Sequence, residues 1–298
     1  MADFIDLSFQ GTSRVIATAI LHDDEGVTLI DPGPSSCLDT LERGLRQRGI
    51  ALADLRTLLL THIHLDHAGA AGSIVARVPS VRVFVHEVGA PHMVDPSKLL
   101  ASATRLYGNR MDALWGVFRS VPADRVRSLT GGETLDVGRR LRVEYTPGHA
   151  KHHVSYLDEE SGIAYVGDTA GVCVSRDYLI VPTPPPDIDL EAWEQSLNTI
   201  EAWRPGVLFL THFGPSGPPP DHLRRMRARL EATAETAKAS FAASGTDEGR
   251  MRWFAEELRQ DVRRSLNEPE ARAAEIAAPF DQIWQGLARY WRKKGDVS

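Results

Sequence analysis

The chain has 298 residues, with 34 Lys and Arg against 40 Asp and Glu, a net charge of −6, and 42% hydrophobic residues. That length accommodates one large domain or two smaller ones, and the apolar and charged fractions exclude a disordered or collagen-like chain. No apolar run approaches the ~20 residues of a membrane span. The start, Met1-Ala2-Asp3-Phe4, lacks the basic region of a secretory signal. An acidic balance argues against a nucleic-acid partner, which needs a basic face. The expectation is a cytoplasmic protein with no membrane and no nucleic-acid partner. Cys37 and Cys173 read as buried thiols in a reducing compartment.

In chain order, short runs rich in Val, Ile and Leu predict strands over 14–21, 27–31, 57–61 and 81–86. A helix is predicted over 36–48, closed by Gly49. Residues 88–130 carry Met93, Tyr107, Met111, Trp115 and Phe118 and read as a helical insert, either beside a site or as a small satellite core. Gly131-Gly132 opens a second group of strands over 141–146, 154–158 and 163–167, with Glu160-Ser161-Gly162 as a hairpin turn. Residues 181–186 contain four prolines and read as a stiff loop. A helix over 190–203 places Trp193, Leu197 and Ile200 on one face behind Asp189 as N-cap, and a last strand covers 207–211.

Beyond residue 220 the pattern becomes helical. One apolar face runs along 221–243, a second along 250–266, and a third starts at Asp281. From Asp221 onward there are 15 Lys and Arg and 13 Asp and Glu, leaving 19 and 27 upstream. The upstream part therefore carries −8, which argues against a polyanionic substrate. Two units are expected: a metal-binding domain over 1–220 and a helical extension over 221–298.

The chemistry concentrates at strand ends. Thr61-His62-Ile63-His64-Leu65-Asp66-His67 follows the apolar strand that ends at Leu60. Four metal-competent side chains within six residues are hard to explain by packing, although a lone histidine usually is. Further ligands are needed, because zinc takes three or four per ion. His149 follows the strand ending near Thr146, Asp168 follows 163–167, and His212 follows 207–211. Each is weak alone; with the first cluster they form one constellation.

These residues, in this order, resemble the metallo-β-lactamase superfamily over about residues 10–215. The resemblance implies an α/β fold, the four-layer αββα sandwich (metallo-β-lactamase fold), here with a C-terminal all-helical extension. It implies that His62, His64 and His149 hold one metal, that Asp66, His67 and His212 hold another, and that Asp168 bridges them. Asp31, in Leu29-Ile30-Asp31-Pro32-Gly33, matches a motif that supports the site from behind the ligands. Two divalent metal ions per chain are implied. Imidazole and carboxylate suit Zn²⁺, and also Fe or Mn. Two such ions generate a bridging hydroxide near neutral pH, and Asp66 would orient it and act as the proton shuttle.

Among branches of that family, the His67 and Asp168 pattern fits hydrolases of thioesters, lactones and phosphodiesters; β-lactam hydrolases usually lack the bridging carboxylate. Lactonases commonly place a tyrosine three residues past the bridging Asp, where this chain has Gly171, with Tyr107 and Tyr178 as substitutes. Hydroxyacylglutathione hydrolases also carry a helical domain after the metal domain. Their Gly-His-x-x-Gly-His pattern reads here as Gly148-His149-Ala150-Lys151-His152-His153, with His152 in the place of glycine, and Thr211-His212-Phe213 departs from their His-Glu. The expected activity is a metal-dependent hydrolase of a small-molecule thioester or ester. A lactonase, a phosphodiesterase or nuclease, a mononuclear-iron persulfide dioxygenase, a β-lactamase and a non-catalytic interaction module are the alternatives. The helical extension would either bind substrate or pair two copies as a homodimer. His152 and His153 read as hydrogen-bonding supports rather than ligands; His22, His86, His92 and His222 read as structural, with His92 nearest the site.

Overall fold

Strand residues in this chain alternate between two cores, and that alternation dictates the layering. Leu58, Leu157, Ala164 and Leu208 belong to one apolar cluster, while their neighbours Leu59, Tyr156, Tyr165 and Phe209 belong to another. Strands with both faces buried require a layer on each side.

The computed structural model describes residues 2–23, 26–175, 178–243 and 245–297. The first sheet holds β1 (Asp3–Asp6), β2 (Ala17–Asp23), β3 (Gly26–Ile30), β4 (Leu55–Leu59), β5 (Arg82–His86) and β6 (Val126–Leu129) in that spatial order. β1 to β3 pair antiparallel and β3 to β6 parallel. In the second sheet, β7 (Thr134–Asp136), β8 (Arg140–Tyr145), β9 (Val154–Asp158) and β10 (Ile163–Tyr165) lie side by side antiparallel. β13 (Val207–Leu210) joins β10 in parallel, and β14 (Gly214–Ser216) forms the edge. β11 (Val172–Ser175) and β12 (Tyr178–Ile180) make a separate pair.

The inner faces meet through Ala19, Ile30 and Leu59 on one side and Val143, Tyr156 and Phe209 on the other. The outer face of the first sheet packs with α1 (Leu38–Arg46) and α3 (Ala71–Arg77), and that of the second with α7 (Leu190–Ala202), which buries Trp193, Leu197 and Ile200. This is the expected αββα sandwich. α2 (Leu65–Ala68) is a single turn, and α4 (Ala90–Val94), α5 (Ser97–Tyr107) and α6 (Met111–Trp115) form the insert.

The C-terminal region comprises α8 (Pro219–Ala243), α9 (Asp247–Ser265), α10 (Glu268–Ala277) and α11 (Phe280–Lys294). Its Trp284, Leu287 and Trp291 belong to the same apolar cluster as the outer face of the sandwich. Polar ties reinforce that seat: the Tyr178 hydroxyl reaches Asp261 at 2.6 Å, and the Tyr290 hydroxyl reaches Glu191 at 2.9 Å. No helix among the described residues is long and apolar enough to cross a membrane.

Several local expectations change. The first predicted strand starts at Ala17, because Arg14 turns the chain at φ 63° with its N–H on Asp6. The stretch over 163–167 leaves the sheet after Tyr165 and turns through Gly167. The α-helices of the insert end at Trp115, and after a short 3-10 turn over Ala123–Arg125 comes Val126–Leu129, the edge strand of the first sheet, whose charged and polar residues break any apolar run. A fourth tail helix, α10, is set by Asn267 and Glu270, which cap each other's backbone N–H groups. Asp189 caps α7 as expected, accepting from the Ala192 N–H at 3.0 Å.

Candidate metal centre

Every side chain of the constellation lies just past the C-terminal end of a strand. β4 leads to His62 and His64 and, through α2, to Asp66 and His67; β8 leads to His149, β10 to Asp168 and β13 to His212. The two sheets thus deliver the seven side chains to one edge of the sandwich, and the structure brings all of them together.

His62 Nε2, His64 Nδ1 and His149 Nε2 are mutually 2.8, 3.0 and 3.2 Å apart. Metal–nitrogen bonds of about 2.0–2.1 Å in tetrahedral geometry place ligand nitrogens about 3.3 Å apart. The partners behind the rings fix their lone pairs. His149 Nδ1 donates to the Pro182 carbonyl at 2.8 Å, and His62 Nδ1 faces the Thr61 hydroxyl at 3.1 Å, whose own proton goes to Asp31. Both Nε2 atoms therefore present lone pairs to the same point, an arrangement that a cation relieves.

The second group has the same logic. His67 Nδ1 donates to Asp31 Oδ2 at 2.8 Å, and His212 Nδ1 donates to the Val15 carbonyl at 2.6 Å. Their Nε2 atoms then face Asp66 Oδ2 at 3.8 and 3.4 Å and Asp168 Oδ1 at 3.3 and 3.5 Å. Asp168 Oδ2 turns the other way, to His149 Nε2 at 3.2 Å. Among the described residues, His67 Nε2 and Asp168 Oδ1 are buried without a hydrogen-bond partner, a costly state for polar atoms. The donor atoms of His62, His64 and His149, of His62, His67 and Asp168, and of Asp66, His67 and His212 each lie within 4.8 Å of one another. Orphaned buried donors converging in threes fit divalent metal ions.

The electrostatics divide the site. Burial and neighbouring imidazoles hold His62 well below the ordinary histidine pKa, and burial with His149 brings His64 down to about 3. Burial also works against charging His67, but Asp168, Asp31 and Asp66 together overcome it and raise that ring well above the ordinary value. His212 is raised against burial by Asp168 and Asp66. One side offers neutral lone pairs; the other demands positive charge, which a proton or a metal cation can supply.

Asp31 organises this edge. Its Oδ1 accepts the Thr61 N–H at 2.8 Å, and Oδ2 accepts the Thr61 and Thr211 hydroxyls, both at 2.7 Å, besides His67. The motif reading passes over the two threonines, yet a signal exists: Thr61-His62 and Thr211-His212 repeat the same dipeptide at two strand ends. His153 is fully buried; it accepts the Asp168 N–H at Nε2 (3.3 Å) and meets the Thr146 hydroxyl at Nδ1 (2.9 Å). Gly167 is required beside it, since a Cβ there would lie 2.6 Å from His153 Nε2 and from Thr61 Oγ1 at a φ of 47°.

A cavity of about 610 Å³ opens over His64, Asp66, His149, Asp168 and His212. The insert contributes Tyr107 and Trp115, and Phe9 stacks on Trp115 with ring centres 5.3 Å apart. The proline loop forms one wall, and Arg259, Gln282 and Ile283 of the C-terminal region form another. Tyr107 Oη donates to Gln282 Oε1 at 3.1 Å, joining insert to tail across the cavity. His92 lines the cavity, whereas Tyr178 lies in a different pocket against Arg229 and Asp261. His86 stacks on Tyr145, His222 bonds the Ala170 carbonyl, and His22 is exposed.

Residues 11–212 match the family described as the metallo-beta-lactamase superfamily. The chain belongs to that superfamily. It is 30% identical over 223 residues to the metallo-beta-lactamase fold-containing protein ST1585 of Sulfurisphaera tokodaii, covering 72% of this chain and 80% of that one. It is 29% identical over 157 residues to a hydroxyacylglutathione hydrolase of Synechococcus, covering 52% of this chain and 49%, about half, of that relative. The crystal structure of the metallo-beta-lactamase family protein TTHA1429 from Thermus thermophilus superposes with a TM-score of 0.69 at 25% identity, covering 94% of this chain and 89% of that one. That overlap extends past the family match into the helical tail.

Proposed function

We propose that this superfamily member is a two-metal hydrolase of a small thioester or ester. Asp168 carries the reading: one of its oxygens faces His67 and His212 and the other faces His149, the posture of a carboxylate shared by two ions. His62, His64 and His149 would hold one ion, Asp66, His67 and His212 the other, and zinc suits the set. When bound, the pair polarises the scissile carbonyl and lowers the pKa of the attacking water.

The chain's own residues do the rest. The Asp66 side chain is partly exposed at the cavity floor, unlike the buried Asp31 and Asp168. It would take a proton from the attacking water and return it to the departing thiol or alcohol, so that one C–O bond forms, one C–S or C–O bond breaks, and the proton count balances. The cavity's size is that of a small-molecule site, and its aromatic and aliphatic wall suits an acyl group. The two units 1–220 and 221–298 then have distinct tasks, the first holding metal and the second closing over the substrate. The hydroxyacylglutathione hydrolase relatives support the thioester.

Metal quantification on the purified protein, coupled to a turnover screen over thioesters, esters, lactones, β-lactams and phosphodiesters, tests the proposal. Two metals per chain with thioester or ester turnover are expected. One iron per chain, or turnover confined to phosphodiesters, would overturn it.

A further inference from the structure

His152 stands where the resembling hydrolases carry glycine, and it has no place in the ligand set. Its ring is nine-tenths buried, lies parallel to His62 with centres 6.0 Å apart, and meets His64 edge-on at 5.6 Å. The Ile63 backbone N–H donates to His152 Nδ1 at 3.4 Å. A ring that accepts at Nδ1 carries its own proton on Nε2. Among the described residues Nε2 has no protein partner, and it is not among the buried orphan atoms, so it is open to the cavity that His152 lines. An imidazole of fixed tautomer thus offers one N–H beside His64 and His149, on the side of the first ligand group.

We infer that His152 donates a hydrogen bond from Nε2 to the acyl oxygen of the substrate and so sets its orientation over the metal centre. The inference rests on the proposed ester or thioester chemistry. Glycine at this position has no side chain to make that bond.

His152→Phe keeps an aromatic ring against His62 and removes the N–H, while His152→Gln returns a donor. Metal content should stay at two per chain in both variants. kcat/KM for the preferred ester should fall about 10–100-fold in His152→Phe, mainly through KM, and recover by about tenfold in His152→Gln. As a second readout, calorimetric titration of the zinc-loaded proteins with acetate, the product acid of the simplest substrate, should show about tenfold weaker binding in His152→Phe. Activity within twofold of wild type, or metal loss in step with activity, overturns the assignment, as does acetate binding that is equal in both proteins or undetectable in wild type. Absence of any ester or thioester turnover in the wild type defeats the proposed function instead, and the acetate titration then decides His152 alone.

Discussion

Gly286, in the last helix, lies directly against the carbonyl of Thr183: a Cβ at position 286 would sit 1.9 Å from that oxygen. Thr183 Oγ1 also donates to the Ile283 carbonyl at 3.1 Å. The next residue back, Pro182, supplies the carbonyl that holds the tautomer of His149. The C-terminal helix is therefore seated on the strap that aims a candidate ligand. Gly286→Val should force helix and strap apart and cost about 1–3 kcal/mol. Thr183→Val, which removes one buried hydrogen bond, should cost about 1 kcal/mol. Urea unfolding gives the stability, and zinc titration of the folded variants should show weakened binding in the same order. A Gly286→Val protein with wild-type stability and zinc affinity would show that this seat does not matter.

Asp31 accepts four hydrogen bonds from three residues, Thr61, His67 and Thr211, while holding φ at 51°. Asn tolerates that left-handed backbone, so Asp31→Asn tests the side chain alone. An amide NH₂ in place of either oxygen sets donor against donor, at the Thr61 N–H or at His67 Nδ1. The expected loss is about 2–4 kcal/mol, measured by urea unfolding, together with reduced metal content.

Asp168 faces both ligand groups, with Oδ1 toward His67 and Oδ2 toward His149. Asp168→Ala should lower the metal content below two per chain and abolish hydrolysis. Removing metal from the wild type with a chelator should lower its unfolding temperature, because an ion present at about 100 times its dissociation constant stabilises the fold by about 2.7 kcal/mol. Mass spectrometry under native conditions and calorimetry check both. Full turnover by a metal-poor Asp168→Ala variant would sink the two-metal mechanism.

Asp261 ties α9 to the sandwich, and its stability contribution depends on pH. Partial burial works to raise its carboxyl, but hydrogen bonds from Tyr178, Arg229 and Arg264, with the charge of Arg229, hold it below the usual carboxylate range. Since the folded value is depressed, its contribution is complete above the unfolded value of about 3.9 and is lost as pH falls through the folded value. Wild type should therefore lose stability more steeply than Asp261→Asn as pH drops below about 5. Chemical denaturation from pH 7 to pH 3 measures it; parallel curves would contradict the assignment.

The sequence by itself determined the apolar strands at the centre of each sheet, the helical tail and the seven side chains at strand ends. Those signals are local: a short run rich in Val, Ile and Leu marks a strand buried on both faces, and a histidine just past an apolar strand stays near the sheet edge wherever that strand lies. Val126–Leu129 escaped because an edge strand buries little, and Arg127 and Ser128 at its centre are exposed and break any apolar run. α10 escaped because its apolar face is mostly alanine.

Only the tertiary structure decided how the seven side chains are aimed and what covers them. The acceptors that orient His149 and His212 are the carbonyls of Pro182 and Val15, and a backbone carbonyl carries no trace of its role in residue identity. The convergence of Thr61, Thr211 and His67 on Asp31 spans 180 residues of chain. The same holds for the tail, whose Arg259, Gln282 and Ile283 line the cavity. Its amphipathic pattern shows that one face is buried, but the partner of that face is chosen by packing across the whole chain, where Gly286 leaves room for the helix to rest on Thr183.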